Sequence, residues 1–265
     1  MPFVTFNATQ FHYRTSKRSP DDTPVLLCVH GSGATSLVWS YQVSRLSKYY
    51  RIIAPDLPCH GESGGTIQTS AAAYALWINQ FINTLQLPSL YLCGHSFGGA
   101  IVQEYARTYS HNVRGLILVS TGCRFALSRA YYQMHTQNLD LDTAIARGIV
   151  PESFKQGYAF LKSVSSETLH ADLLAAGVFD SSAWITDIHV PALVLWGTND
   201  VITPREMSSE LANSIPGAVF QEIPNAGHVV MTDAPNAFNE SVRAFMTRCE
   251  SSFWENPIHD KQPER

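Results

Sequence analysis

Ser96 stands between two glycines, in Gly94-His95-Ser96-Phe97-Gly98, where an apolar run (SLYLC) gives way to a helix-like one (AIVQEYA). A serine hydroxyl is a poor nucleophile unless a neighbouring base takes its proton. It must also be exposed rather than packed. A very sharp turn from strand to helix lifts one side chain clear, but only if small residues two before and two after it let strand and helix approach. Gly94 and Gly98 supply that. A serine at the start of a helix also gains the positive end of the helix dipole. The Phe97 amide then points to where a negative oxygen would develop. The chemistry on offer is nucleophilic attack on a carbonyl, and it needs a base and an acid to orient that base.

The elements that must position these groups are read from hydrophobic patterning. Residues 3–7 and 11–15 flank a short ATQ and predict an opening hairpin. PVLLCVHG (24–31), YRIIAPDL (50–57), SLYLCG (89–94) and VRGLILVST (113–121) read as strands buried on both faces. Between them, helical spacing covers 37–48, 70–87 (with Ser70 as N-cap) and 100–109. From 122 to 187 the alternation stops, and RAYYQMH, LDTAIARG, PESFKQGYAFLKSV and TLHADLLAAG read as short helices. Alternation resumes with strand 191–197, helix 205–215, strand 218–224 and helix 234–249, followed by a polar, frayed tail from Glu250. This predicts an α/β fold with a mostly parallel central sheet and helices on both faces.

Such sheets carry their chemistry at the carboxyl ends of the strands. Four ends hold candidates: His30-Gly31-Ser32-Gly33, the Ser96 turn, Thr198-Asn199-Asp200 and Asn225-Ala226-Gly227-His228. Asp200 and His228 therefore stand at the same edge as Ser96. Among the competitors, Asp187 precedes its strand and so lies at the wrong end. Asp233 is placed to cap the final helix. His95 points elsewhere on the tight turn.

The chain order Ser96, Asp200, His228 with G-x-S-x-G resembles the α/β-hydrolase family and its nucleophile elbow. The resemblance spans nearly the whole chain: HGSG after an early strand, PDLPCHGES, the elbow, WGTNDVITP and NAGH. In organisation it is similar to small esterases, enol-lactonases and carbon–carbon bond hydrolases. It implies a Ser96–His228–Asp200 triad, an oxyanion hole from the backbone amides of Ser32 and Phe97, and no metal or organic cofactor. It implies a core over 1–121 and 188–250, a helical cap over 122–187 and a polar tail over 251–265. His30 and His60 are expected to brace loops, and Asp56 and Glu62 to fix turns. Cys59 has no identifiable base. Phe125, Tyr131, Tyr132, Met134, Phe154, Tyr158 and Phe160 are expected to form the cap core.

The implied reaction is cleavage of a small, largely apolar ester or lactone through an acyl-enzyme. One alternative is carbon–carbon cleavage of a vinylogous diketone, with Arg124 and Arg129 receiving the substrate's acid group. Another is a ligand receptor that keeps the fold without turnover. The charged fraction is only 15% and the net charge −4, with no basic patch, which excludes nucleic acid as a partner. Five cysteines without a C-x-x-C pair predict free thiols in a reducing compartment. The N-terminus lacks the apolar core of a signal peptide and no apolar run approaches ~20 residues, so a cytoplasmic protein off the membrane is expected. The partner is a small-molecule substrate, and the oligomeric state is left open.

Overall fold

The computed structural model describes residues 2–16, 23–149 and 164–255. In chain order the strands are β1 (Phe3–Phe6), β2 (Thr9–Thr15), β3 (Val25–Val29), β4 (Arg51–Pro55), β5 (Leu90–His95), β6 (Val113–Val119), β7 (Ala192–Gly197) and β8 (Val219–Ile223). The helices are α1 (Ser40–Arg45), α2 (Ala71–Thr84), α3 (Phe97–Tyr109), α4 (Ala126–Thr136), α5 (Leu141–Ala146), α6 (Ser166–Val178), α7 (Arg205–Ser214), α8 (Val230–Asp233) and α9 (Pro235–Glu255). The expected helix PESFKQGYAFLKSV lies outside the described residues apart from its last position, as do Phe154, Tyr158 and Phe160.

The described strands form one sheet in the order β1-β2-β4-β3-β5-β6-β7-β8. β1 pairs with β2 and β2 with β4 antiparallel, and every other neighbour is parallel. The hairpin turn is Asn7-Ala8, both at positive φ (51° and 58°), so Thr9 and Gln10 belong to β2 rather than to the loop. β3 and β5 are buried along their whole length, as parallel strands covered on both faces must be. Their side chains alternate between two cores. Leu27, Val29 and Leu92 pack with α2 and α3 residues such as Tyr74, Phe81 and Ile101. Leu26, Cys28, Tyr91 and Cys93 pack on the other face with Phe238, Phe245 and Met246 of α9.

Ser70 caps α2 as expected, accepting the Ala73 amide at 3.1 Å. α9 does not stop at Cys249 but runs to Glu255. Glu250, expected to begin a frayed tail, is tied down instead, because Tyr91 and Arg114 donate to its two carboxylate oxygens at 2.6 and 2.8 Å. Between β6 and β7 the described chain is helical. Tyr131 packs there with Leu169 and Leu173 of α6, with Met134 against them. Phe125 belongs to the main core instead, 6.1 Å from the Phe179 ring. The chain leaves β3 toward one edge of the sheet through β4, then crosses to β5 on the other side of β3. That reversal makes the carboxyl ends of β3 and β5 the crevice of the sheet, where the HGSG loop and Ser96 stand.

Candidate active site

β5 ends at His95 and α3 begins at Phe97, so one residue makes the whole turn. That residue, Ser96, has φ 53° and ψ −123°. A non-glycine residue held there costs roughly 1–3 kcal/mol and persists only when its surroundings over-determine it. They do. The Ser96 amide donates to Val119 O at 2.9 Å, while the Gly99 amide and the Thr121 hydroxyl donate to Ser96 O at 2.8 and 2.9 Å. The flanking glycines are obligatory. A Cβ on Gly98 would lie 2.5 Å from the carbonyl oxygens of both Val29 and His30, and one on Gly94 would overlap the Gly98 carbonyl. The Ser96 side chain does not cap α3.

Asp200 and His228, 28 residues apart, meet directly: His228 Nδ1 lies 3.1 and 3.0 Å from the two Asp200 carboxylate oxygens. Asp200 is 5% exposed. Burial alone would raise its pKa, but the His228 ring, the Thr203 hydroxyl and the Thr203 amide hold it well below the usual carboxylate range. The Ile202 and Thr203 amides each donate to Oδ1 at 2.9 Å, and the Thr203 hydroxyl donates to Oδ2. An acceptor-only carboxylate forces the proton of a neutral imidazole onto Nδ1 and leaves Nε2 bare as a base.

The His228 loop is pinned at three points. The Asn199 amide donates to Ala226 O at 2.8 Å, and His95 Nε2 donates to the His228 carbonyl at 2.9 Å. The Gly227 amide donates to Asp233 Oδ2 at 2.8 Å. Asp233, expected to cap the last helix, ends the short helix α8 and turns its carboxylate back to this loop instead. The structure thus joins Asp200 to His228 directly and ties the His228 backbone to the residue preceding Ser96. Among the described residues no hydrogen bond links the Ser96 hydroxyl to the His228 ring. Such bonds are often long without substrate and tighten in the substrate complex.

The Ser32 and Phe97 amides make no hydrogen bond within the protein among the described residues. Around Ser32, His30 Nδ1 donates to Gly31 O at 2.9 Å and His30 Nε2 accepts the Leu57 amide at 3.1 Å, so His30 braces this loop. His60 bonds Pro58 O and Asp172 Oδ2, both at 2.9 Å. Asp56 fixes turns as expected, accepting from the Ser36 and Glu62 amides at 2.6 and 3.1 Å and facing His12 Nδ1 at 2.7 Å. Cys59 donates weakly to Gly65 O at 3.4 Å, and the five cysteines are free thiols. Asp187 ends a 3-10 turn ahead of β7, at the opposite end of the sheet. Arg124 and Arg129 are exposed.

Sequence reasoning missed Thr203 and Asp172, and it misread Asp233 and the His95 ring, which donates to the His228 carbonyl. Thr203, three residues past Asp200, was findable as a turn hydroxyl beside a carboxylate. Asp172 sits mid-helix with nothing local to mark it.

The profile of the alpha/beta hydrolase family matches residues 26–241. Among curated proteins, the chain is 25% identical over 255 residues to the (E)-2-((N-methylformamido)methylene)succinate hydrolase of Acinetobacter baylyi, covering 91% of this chain and 95% of that protein. It is 25% identical over 242 residues to the pimeloyl-[acyl-carrier protein] methyl ester esterase of Serratia marcescens, covering 83% and 93%. Among solved structures, the enol-lactonase of Burkholderia xenovorans superposes with a TM-score of 0.75 at 24% identity, over 93% of this chain and 100% of that one. Sheet order, the strained serine turn and a family match over most of its length agree: the chain belongs to the alpha/beta hydrolase family and is a hydrolase.

Proposed function

We propose that this hydrolase cleaves a small, largely apolar carboxylic ester or lactone through Ser96, His228 and Asp200. The observation that carries this reading is the buried Asp200 carboxylate held against His228 Nδ1 at 3.0 Å, at the sheet edge where Ser96 is lifted out of its turn. His228 Nε2 takes the Ser96 proton as the oxygen attacks the carbonyl, and the Ser32 and Phe97 amides hold the oxyanion. The tetrahedral adduct collapses to an acyl-enzyme, and His228 returns the proton to the departing alcohol. Water then gives a proton to His228, attacks the acyl carbon and frees the acid, restoring the Ser96 hydroxyl.

A curated relative that acts on a methyl ester and a fold neighbour that is an enol-lactonase are consistent with an ester or lactone substrate. In this reading the described helices between β6 and β7 belong to a cap over the site, and five free thiols suit a reducing cytoplasm. A fluorophosphonate probe is expected to label Ser96, and Ser96→Ala to lose label and at least about 10³-fold in turnover across a panel of nitrophenyl esters, lactones and diketones. A folded wild-type protein that takes no label would favour a ligand receptor. Preference for the diketones would favour carbon–carbon cleavage.

A further inference from the structure

One buried carboxylate has no part in the reaction just described, yet it grips the loop that supplies one oxyanion donor. Asp172 lies on α6 and is 1% exposed. Its Oδ2 accepts from the Gly33 amide at 3.0 Å and from His60 Nε2 at 2.9 Å, and its Oδ1 from the Tyr74 hydroxyl at 2.7 Å. These donors come from the loop after β3, the loop after β4 and α2, while the acceptor comes from the stretch between β6 and β7.

The protonation of its partners follows. His60 Nδ1 faces Pro58 O and Nε2 faces Asp172. Two acceptors facing the two ring nitrogens favour the protonated ring. Burial alone would lower its pKa, but the Asp172 bond and charge raise it. His30, with its ring 4.9 Å away, is the opposite case. Its Nε2 accepts the Leu57 amide, so it is neutral. His60 and Asp172 form a buried pair at 2.9 Å.

The geometric consequence falls on Ser32. A peptide group is planar, so the Ser32 N–H points away from the Gly31 carbonyl in the same plane. His30 Nδ1 and the Ala34 amide fix that carbonyl, at 2.9 and 3.2 Å. The next peptide plane carries the Gly33 N–H, which Asp172 fixes, and Gly33 itself takes φ +64°. With both planes held, the rotations at Ser32 have no freedom left. We propose that Asp172 is a positioning residue that aims the Ser32 amide at the oxyanion, through its bond to the Gly33 amide and its ion pair with His60. This rests on the reading of Ser32 as an oxyanion donor.

The test uses the full chain. Asp172→Asn, with Tyr74→Phe as a control that removes one donor and spares Gly33, is assayed on a short nitrophenyl ester and for inhibition by a phenylboronic acid. A misaimed donor is expected to lower kcat about 10- to 100-fold, short of the 10²–10³ seen when an oxyanion donor is deleted. KM should stay within about 3-fold, boronate affinity should fall with kcat, and Tyr74→Phe should keep kcat within about 3-fold. A folded Asn variant with wild-type kcat, or a loss carried by KM alone, overturns the proposal. If the Asn variant does not fold, Asp172→Glu keeps the counter-charge to His60 but displaces the acceptor, and the same kcat loss is expected. In the wild-type protein, ¹⁵N NMR at neutral pH should find both His60 nitrogens protonated, and a neutral His60 also overturns it. Failure of the underlying reading is separable: it would appear as wild-type ester hydrolysis that survives Ser96→Ala.

Discussion

His95 donates from Nε2 to the His228 carbonyl across 2.9 Å, and the two rings lie 4.8 Å apart. The residue before the proposed nucleophile therefore holds the backbone of the proposed base, and it does so as a neutral imidazole. Its Nδ1 is buried without a hydrogen-bond partner among the described residues. Burial and the neighbouring His228 push its pKa down to about 3. His95→Phe keeps the bulk and deletes the donor. The expected result is a folded protein with an intact Asp200–His228 pair and kcat about 10-fold lower, since small misplacements at a reacting group are costly. Steady-state kinetics on a nitrophenyl ester checks this.

Asp200→Asn should be far more damaging. An amide facing His228 Nδ1 can offer N–H where the ring needs an acceptor, and the imidazole then settles in the wrong tautomer. In a Ser-His-Asp triad this exchange costs about 10⁴-fold in kcat with the geometry kept. A loss under about 10-fold would remove Asp200 from the proposed triad.

Gly98→Ala probes the turn itself. The added methyl would sit 2.5 Å from two carbonyl oxygens of β3 and the loop after it, where neither backbone can yield without moving the HGSG loop. Overpacking of this kind costs about 1–3 kcal/mol or more, and the thermal midpoint should fall by about 2–4 °C for each kcal/mol in a protein of this size. Differential scanning calorimetry reads the shift, and activity should fall further than stability.

Acid should destabilise the fold before any carboxylate titrates. In the unfolded chain both His30 and His95 take a proton near pH 6.5, whereas burial and a neighbouring imidazole delay this in the folded protein to about 4 and about 3. Between those limits the unfolded state binds more protons, so the contribution of these two histidines falls as pH drops from 6.5 and levels off below about 3. His60, shifted upward, does not offset this, because its contribution is complete below 6.5 and is lost only as pH rises through its folded value. From neutrality to pH 5 the two histidines account for at most about 4 kcal/mol. Urea titrations at pH 7, 6 and 5 should show the decline, and His95→Phe should flatten about half of it.

The sequence alone determined the order of strands and helices, the glycine-flanked serine and the strand ends carrying Asp200 and His228. Each of these is a local pattern: an apolar run, a helical period, a pair of glycines two residues from a hydroxyl. The resemblance it carries also implied that His30 braces its loop and that Asp56 fixes turns. The sequence ended the last helix too early, since the bonds from Tyr91 and Arg114 to Glu250 join residues more than a hundred positions apart. Asp233 was misassigned for a related reason: whether a carboxylate caps the helix ahead of it or reaches back to Gly227 depends on how the chain bends at α8. Tertiary structure alone decided what Asp172 touches. Its three donors lie 98 to 139 residues away, and a buried charge is tolerable only where folding gathers such partners, which no short stretch of sequence can record.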